Sequence, residues 1–143
     1  MNWLYNGKEI TDISQFHPDT FGFVYKVTTP DGRKYIGKKV LYHNQKKKLT
    51  KVELSEQTGR GRRKSYKVVQ KESDWKKYVG SNSELKRKLT EGEVTLEDLD
   101  KQILEIALHK KHLTYLETKY LFCYEVLENP EEYYNDNILG KFF

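Results

Sequence analysis

The chain of 143 residues holds one cysteine, three prolines and one methionine. A lone Cys123 excludes an internal disulfide and any cysteine-rich metal site. It falls in an apolar helical run and is expected to be buried. No apolar stretch approaches the ~20 residues that cross a bilayer. Met1-Asn2-Trp3-Leu4-Tyr5 also lacks the pattern of a signal peptide. A soluble, cytoplasmic protein is the expectation. The histidines offer no metal pair: His109 and His112 stand three apart, but the second falls where a helix begins. Hydrophobic residues are scarce, at 36% against 33% charged. The length suits one domain with a single core, so much of the surface is solvated or used for binding.

What the chain has in quantity is positive charge, unevenly spread. Residues 1–90 hold 21 Lys/Arg against 9 Asp/Glu, and residues 91–143 hold 5 against 12. A basic half and an acidic half in one small domain point to a polyanion-binding face. Eleven tyrosines and two tryptophans supply bulky core material, and hydroxyls and rings for polar ligands.

Along the chain, residues 1–20 read as an irregular lead-in packed on a single domain over 21–143. Thr29-Pro30-Asp31-Gly32 is a turn signal, so Phe21–Thr28 and Arg33–Val40 form a hairpin. A basic insertion over 41–77 follows, part helix (Lys51–Gln57) and part flexible loop. Its cations include Lys46, Lys47, Lys48, Arg60, Arg62, Arg63 and Lys64. Ser81 or Ser83 can cap a helix from Glu84 to about Leu89, and Thr95–Asp100 suits a short helical turn. Lys101–Leu108 is apolar on both sides and suits a central strand. Leu113, Leu116, Tyr120, Tyr124 and Leu127 recur at helical spacing, in a helix that ends before Asn129-Pro130. The expected fold is α/β: a three-stranded, mainly antiparallel sheet flanked by helices.

On the last helix, Glu117 lies four after Leu113 and three before Tyr120, on or beside the core-facing side. A carboxylate there is costly unless it is paired or bound to metal. A stripe-edge Glu paired with a lysine is the plain alternative. Tyr25 and Tyr35 fall on the two hairpin strands, where tyrosine is also common for packing alone. A phenol with a pKa near ~10 is a poor base by itself.

Phe23-Val24-Tyr25 and Tyr35-Ile36-Gly37, ten residues apart across a hairpin, resemble the paired blocks of the GIY-YIG nucleases. The second block matches letter for letter, and the first departs conservatively. The element order agrees as well. The resemblance spans about residues 22–138 and implies a metal-dependent endonuclease acting on DNA, with RNA as an open alternative. It implies Mg²⁺ or Mn²⁺ held by Glu117, and water activated near Tyr25 and Tyr35. It implies an arginine on the phosphate, for which Arg87 is the one on the next helix and Arg60, Arg62 or Arg63 of the insertion are alternatives, and a supporting Asn135. Lys38 and Lys39 are candidates for the scissile phosphate. The basic insertion is a candidate for backbone contact, and His43 for proton transfer. Tyr78-Val79-Gly80-Ser81 competes as the second block, but no hairpin partner precedes it. Some phage-borne members combine Tyr-Ile-Gly-Lys-Lys with a later Trp…Tyr…Gly-Ser segment, and this chain shows both. A non-catalytic binding module and a protein-interaction factor on the same fold are the rival readings.

Overall fold

A computed structural model describes residues 2–57 and 65–136. The chain divides into two compact units, Met1–Leu41 with Asp74–Phe143, and Tyr42–Ser73.

The larger unit is built on a five-stranded mixed sheet. The strands of its central hairpin are β3 (Gly22–Thr28) and β4 (Lys34–Val40). They pair antiparallel, with Tyr25 opposite Gly37. Thr29 donates its N–H to the Arg33 carbonyl at 2.9 Å, and the Asp31 carboxylate accepts from the Arg33 N–H at 3.1 Å, which closes the expected turn.

The lead-in is not irregular. Trp3–Tyr5 forms β1 and Lys8–Ile10 forms β2. Asn6 and Gly7 join them with φ of 51° and 79°, the left-handed pair that a tight hairpin demands. The Asn-Gly signal is present in the sequence, but three-residue strands are too short to show an alternating pattern. β1 then lies parallel to β7 (Asp100–Ala107), which is antiparallel to β3 on its other side. The sheet order β2-β1-β7-β3-β4 puts β7 in the middle, as its two-sided apolar pattern requires, and enlarges the expected three strands to five.

Helix α2 (Ser83–Thr90) is capped by Asn82, not by a serine: its carboxamide oxygen accepts from the Leu85 N–H at 3.0 Å. A 3₁₀ turn at Leu96–Asp98 occupies the expected short helix. Helix α3 (Lys110–Cys123) stops before the proline signal. Glu125 turns left-handed with φ 51°. The Val126 N–H reaches the Leu121 carbonyl at 3.1 Å, the six-to-one bond of a Schellman end, and buried Val126 supplies its apolar contact. Cys123 is exposed, contrary to expectation: it is the last residue of α3.

Two groups of buried side chains flank the sheet. Val24, Ile36, Ala107, Leu113, Leu116 and Leu121 cluster beneath α3. Trp3, Phe16, Phe23, Tyr25 and Trp75 form an aromatic cluster with ring centroids 5.1–6.4 Å apart. Lys101 is buried there at 2% exposure. Its ammonium lies 4.3 Å over the Trp3 ring and donates to the Lys76 carbonyl at 3.0 Å. Burial pulls its pKa down to about 8.

The smaller unit is an antiparallel ribbon of β5 (Tyr42–Lys48) and β6 (Tyr66–Glu72), with the short helix α1 (Lys51–Ser55) following β5. The insertion was expected to be helix and loop. The helix is present, and the flanks pair as strands.

Candidate active site

β4 is one edge of the sheet, and the site is assembled there. An edge strand leaves alternate backbone groups without ladder partners. The segment after α3 supplies them. Lys34 N–H donates to the Glu132 carbonyl, and Tyr134 N–H to the Lys34 carbonyl, each at 2.8 Å. One step further, the Asn135 side chain replaces a peptide. Its oxygen accepts from the Ile36 N–H at 3.0 Å, and its nitrogen donates to the Ile36 carbonyl at 2.7 Å. A carboxamide is the side chain that can do both. Asn135 therefore anchors the residue between Tyr35 and Gly37.

On one side of the hairpin the tyrosines stack in depth. Tyr25 is buried, with its ring 6.2 Å from Tyr35 and 6.0 Å from Tyr78. A Cβ on Gly37 would collide with the Tyr25 hydroxyl, and one on Gly80 would lie 2.8 Å from the Tyr35 ring. Both glycines are flat seats for tyrosine rings. Gly80 also takes φ +116°, which other residues rarely adopt. Tyr35 hydrogen-bonds Ser81 Oγ at 3.1 Å. The two segments that competed as the second block thus meet: Tyr35-Ile36-Gly37 is the strand, and Gly80-Ser81 closes against it.

Burial raises the Tyr25 pKa well above its ordinary value, and it raises that of Tyr35 as well, where the Ser81 hydrogen bond works the other way. Both phenols are protonated near neutral pH. Tyr35 borders the open cleft, and Tyr25 lies behind it.

Glu117 reaches the same cleft from α3. The cleft is about 230 Å³, with Tyr35, Ser81, Asn82, Glu117, Asn135 and Asp136 among its lining residues. The Glu117 side chain is 14% exposed, and Lys38 Nζ stands 3.9 Å from its Oε1. Lys38 also donates to Thr114 Oγ1 at 3.2 Å. Burial raises the Glu117 pKa, and the Lys38 charge opposes that rise.

Arg87 is placed elsewhere. Its guanidinium pairs with Glu91 at 2.6 Å and Glu93 at 3.4 Å, and it does not line the cleft. Helical geometry makes Glu91 its i,i+4 neighbour. Lys39 points the opposite way from Lys38, as strand alternation demands. It pairs with Asp74 at 2.5 Å and lies 4.0 Å over the Tyr78 ring. Lys46, Lys47, Lys48 and His43 are exposed on β5. Arg60, Arg62, Arg63 and Lys64 lie outside the described residues. Ser81, expected as a helix cap and as the end of the competing second block, belongs to the cleft. The Gly-Ser pair was its signal.

Among the described residues no three His, Cys, Asp or Glu side chains gather as a metal cluster. A hard cation such as Mg²⁺ takes one or two carboxylates and fills its shell with water and phosphate oxygen. Glu117, partly desolvated at the wall of a polar cleft, fits such an ion.

Residues 3–138 match a family model described as "Putative endonuclease segE, GIY-YIG domain". The match covers nearly the whole chain, which belongs to this family of GIY-YIG endonucleases. The family implies a nucleic-acid substrate and, typically, a divalent metal. No curated protein and no solved structure matched. Among the described residues, no helix is long and apolar enough to cross a membrane.

Proposed function

We propose that this chain hydrolyses phosphodiester bonds in DNA at the β4-edge cleft. The observation that supports the reading best is the convergence of Tyr35, Glu117 and Ser81 on one polar cleft, with Lys38 3.9 Å from Glu117, over a strand pinned by Asn135. Glu117 is the residue to hold Mg²⁺ or Mn²⁺. When bound, that ion supplies charge neutralisation on the phosphate and a lowered pKa for water.

The chain's own groups do the rest. The Tyr35 hydroxyl, held by Ser81, orients the attacking water as a neutral donor and acceptor. Tyr25 sets the Tyr35 ring from behind. The cation on the developing phosphorane charge is Lys38, which already stands 3.9 Å from the Glu117 carboxylate. Arg87 would take that role only after leaving Glu91 and Glu93. Electrostatic stabilisation of this kind is commonly the largest single contribution.

The test is Mg²⁺-dependent cleavage of supercoiled plasmid. Glu117→Ala is expected to lose about 10³-fold or more in rate while still binding DNA. Lys38→Met is expected to lose about 10²-fold and Arg87→Ala less than about threefold. The reverse order would return the cation role to Arg87. A folded, DNA-binding native protein that cuts neither DNA nor RNA in Mg²⁺ or Mn²⁺ would sink the reading in favour of a binding module.

A further inference from the structure

The two faces of the β5–β6 ribbon differ. Directly opposed residues share a face, and successive pairs alternate. One face holds Lys47 opposite Lys67, Gln45 opposite the half-buried Val69, and His43 opposite Lys71. There Glu53 of α1 takes Lys67 at 2.7 Å. The other face presents three successive pairs: Asn44 with Gln70, Lys46 with Val68, and Lys48 with Tyr66. All six are exposed, Val68 at 64% and Tyr66 at 55%. Two side-chain amides, two ammonium groups and two uncovered apolar side chains serve no core.

The shape and chemistry suit one partner. Seven paired residues span about 23 Å, and a two-stranded ribbon enters the major groove of B-form DNA, which is about 12 Å wide. Asn and Gln amides match the N6/N7 edge of adenine, an apolar side chain meets the thymine methyl, and flanking lysines meet phosphate. The deep, narrow major groove of A-form RNA does not admit such a ribbon. Charge complementarity favours nucleic acid over a protein partner. The segment 42–73 has ten Lys/Arg against three Glu.

From this we infer that the Asn44–Gln70 face of the ribbon docks in the major groove of duplex DNA and reads bases there. The inference rests on the nuclease reading and adds a means of target choice to it.

The test uses the full chain in EDTA with a 30-base-pair random-sequence DNA duplex pool and the matching RNA duplex. DNA is expected to bind at least about tenfold tighter than RNA. Methyl green, which occupies the major groove, is expected to displace the protein, and netropsin, in the minor groove, is not. Repeated selection from the pool is expected to enrich a motif with the native chain. Asn44→Ala/Gln70→Ala should lose that enrichment with less than about a threefold change in affinity for the unselected pool. Equal binding to RNA, displacement by netropsin alone, or the same motif enriched by the double variant would each overturn the assignment. Plasmid cleavage in Mg²⁺ is scored in parallel. A chain that cuts plasmid but fails these arms loses only the ribbon assignment.

Discussion

The two units of this chain differ in nearly every physical respect. The larger unit buries two tryptophans, Phe23, Tyr25 and Leu116 to 2% exposure or less. Among the described residues of 42–73, none is buried. Charge runs the other way: 42–73 carries a net +7, while the rest of the chain, with 16 Lys/Arg against 18 Asp/Glu, carries −2. A near-neutral unit with a packed core can hold side chains within a fraction of an ångström, as hydrolysis demands. The described residues of the ribbon segment include none that is buried, and its lysines need no fixed geometry to attract a polyanion. On the proposed reading, chemistry and affinity fall to different parts of the chain, and each can be changed alone.

The sharpest way to break that division is to replace 42–73 with a short Gly-Ser linker. The flanks are held within the larger unit by the Lys39–Asp74 pair, so its fold should survive. Affinity for DNA at 0.15 M salt should fall by about 10³-fold and the salt slope should flatten, as read by anisotropy titrations at several salt concentrations. An unchanged salt slope would show that the ribbon carries no phosphate contacts.

Next in size is Gly37→Ala. The added Cβ collides with Tyr25 inside a packed aromatic cluster, so unfolding stability should drop by about 3 kcal/mol and cleavage should fall with it. Denaturant titration reads the first, plasmid cleavage the second. DNA binding by folded protein should change little, because the ribbon is untouched.

Lys101 sharpens the contrast from the stable side. Its pKa in the fold is about 8, below the ordinary lysine value. A depressed lysine disfavours the folded state while charged. Stability from this group is present above its unfolded pKa near 10.4 and is lost as pH falls toward 8. Lys101→Met should therefore gain about 2 kcal/mol at pH 7, and the gain should shrink toward pH 10.5. A loss at pH 7 would mean that the Trp3 and Lys76 contacts outweigh desolvation.

The smallest effect is on the ribbon. Glu53→Ala removes a half-exposed partner of Lys67 and should leave stability nearly unchanged in denaturant titration. By freeing one lysine it should slightly raise DNA affinity at low salt, measurable in the same titrations.

Sequence reading reached the β3–β4 hairpin, the central strand β7 and α3 because each has a strong periodic pattern and punctuated ends. It missed β1 and β2, whose identity rests on pairing with each other and of β1 with β7, not on local pattern. It also missed the pairing of β5 with β6: alternation is weak where neither face is buried. For the site, Tyr35 and Glu117 were legible from their elements. Arg87 was chosen by sequence position, and its two glutamate partners hold it outside the cleft. Ser81 was read as a cap because its approach to Tyr35 spans 46 residues of chain.

What the sequence by itself determined is local. The turn at Thr29–Arg33, the helical stripe that turns Glu117 inward and the concentration of lysine in one segment all follow from residue order, because they depend on neighbours a few positions apart. The tertiary structure alone decided which cation reaches the carboxylate, which tyrosine meets the cleft, and that Asn135 mends the sheet edge. Those outcomes depend on contacts between residues from 46 to 99 positions apart. They arise only when burial of the core sets the edge of β4 against α3 and the segment that follows it.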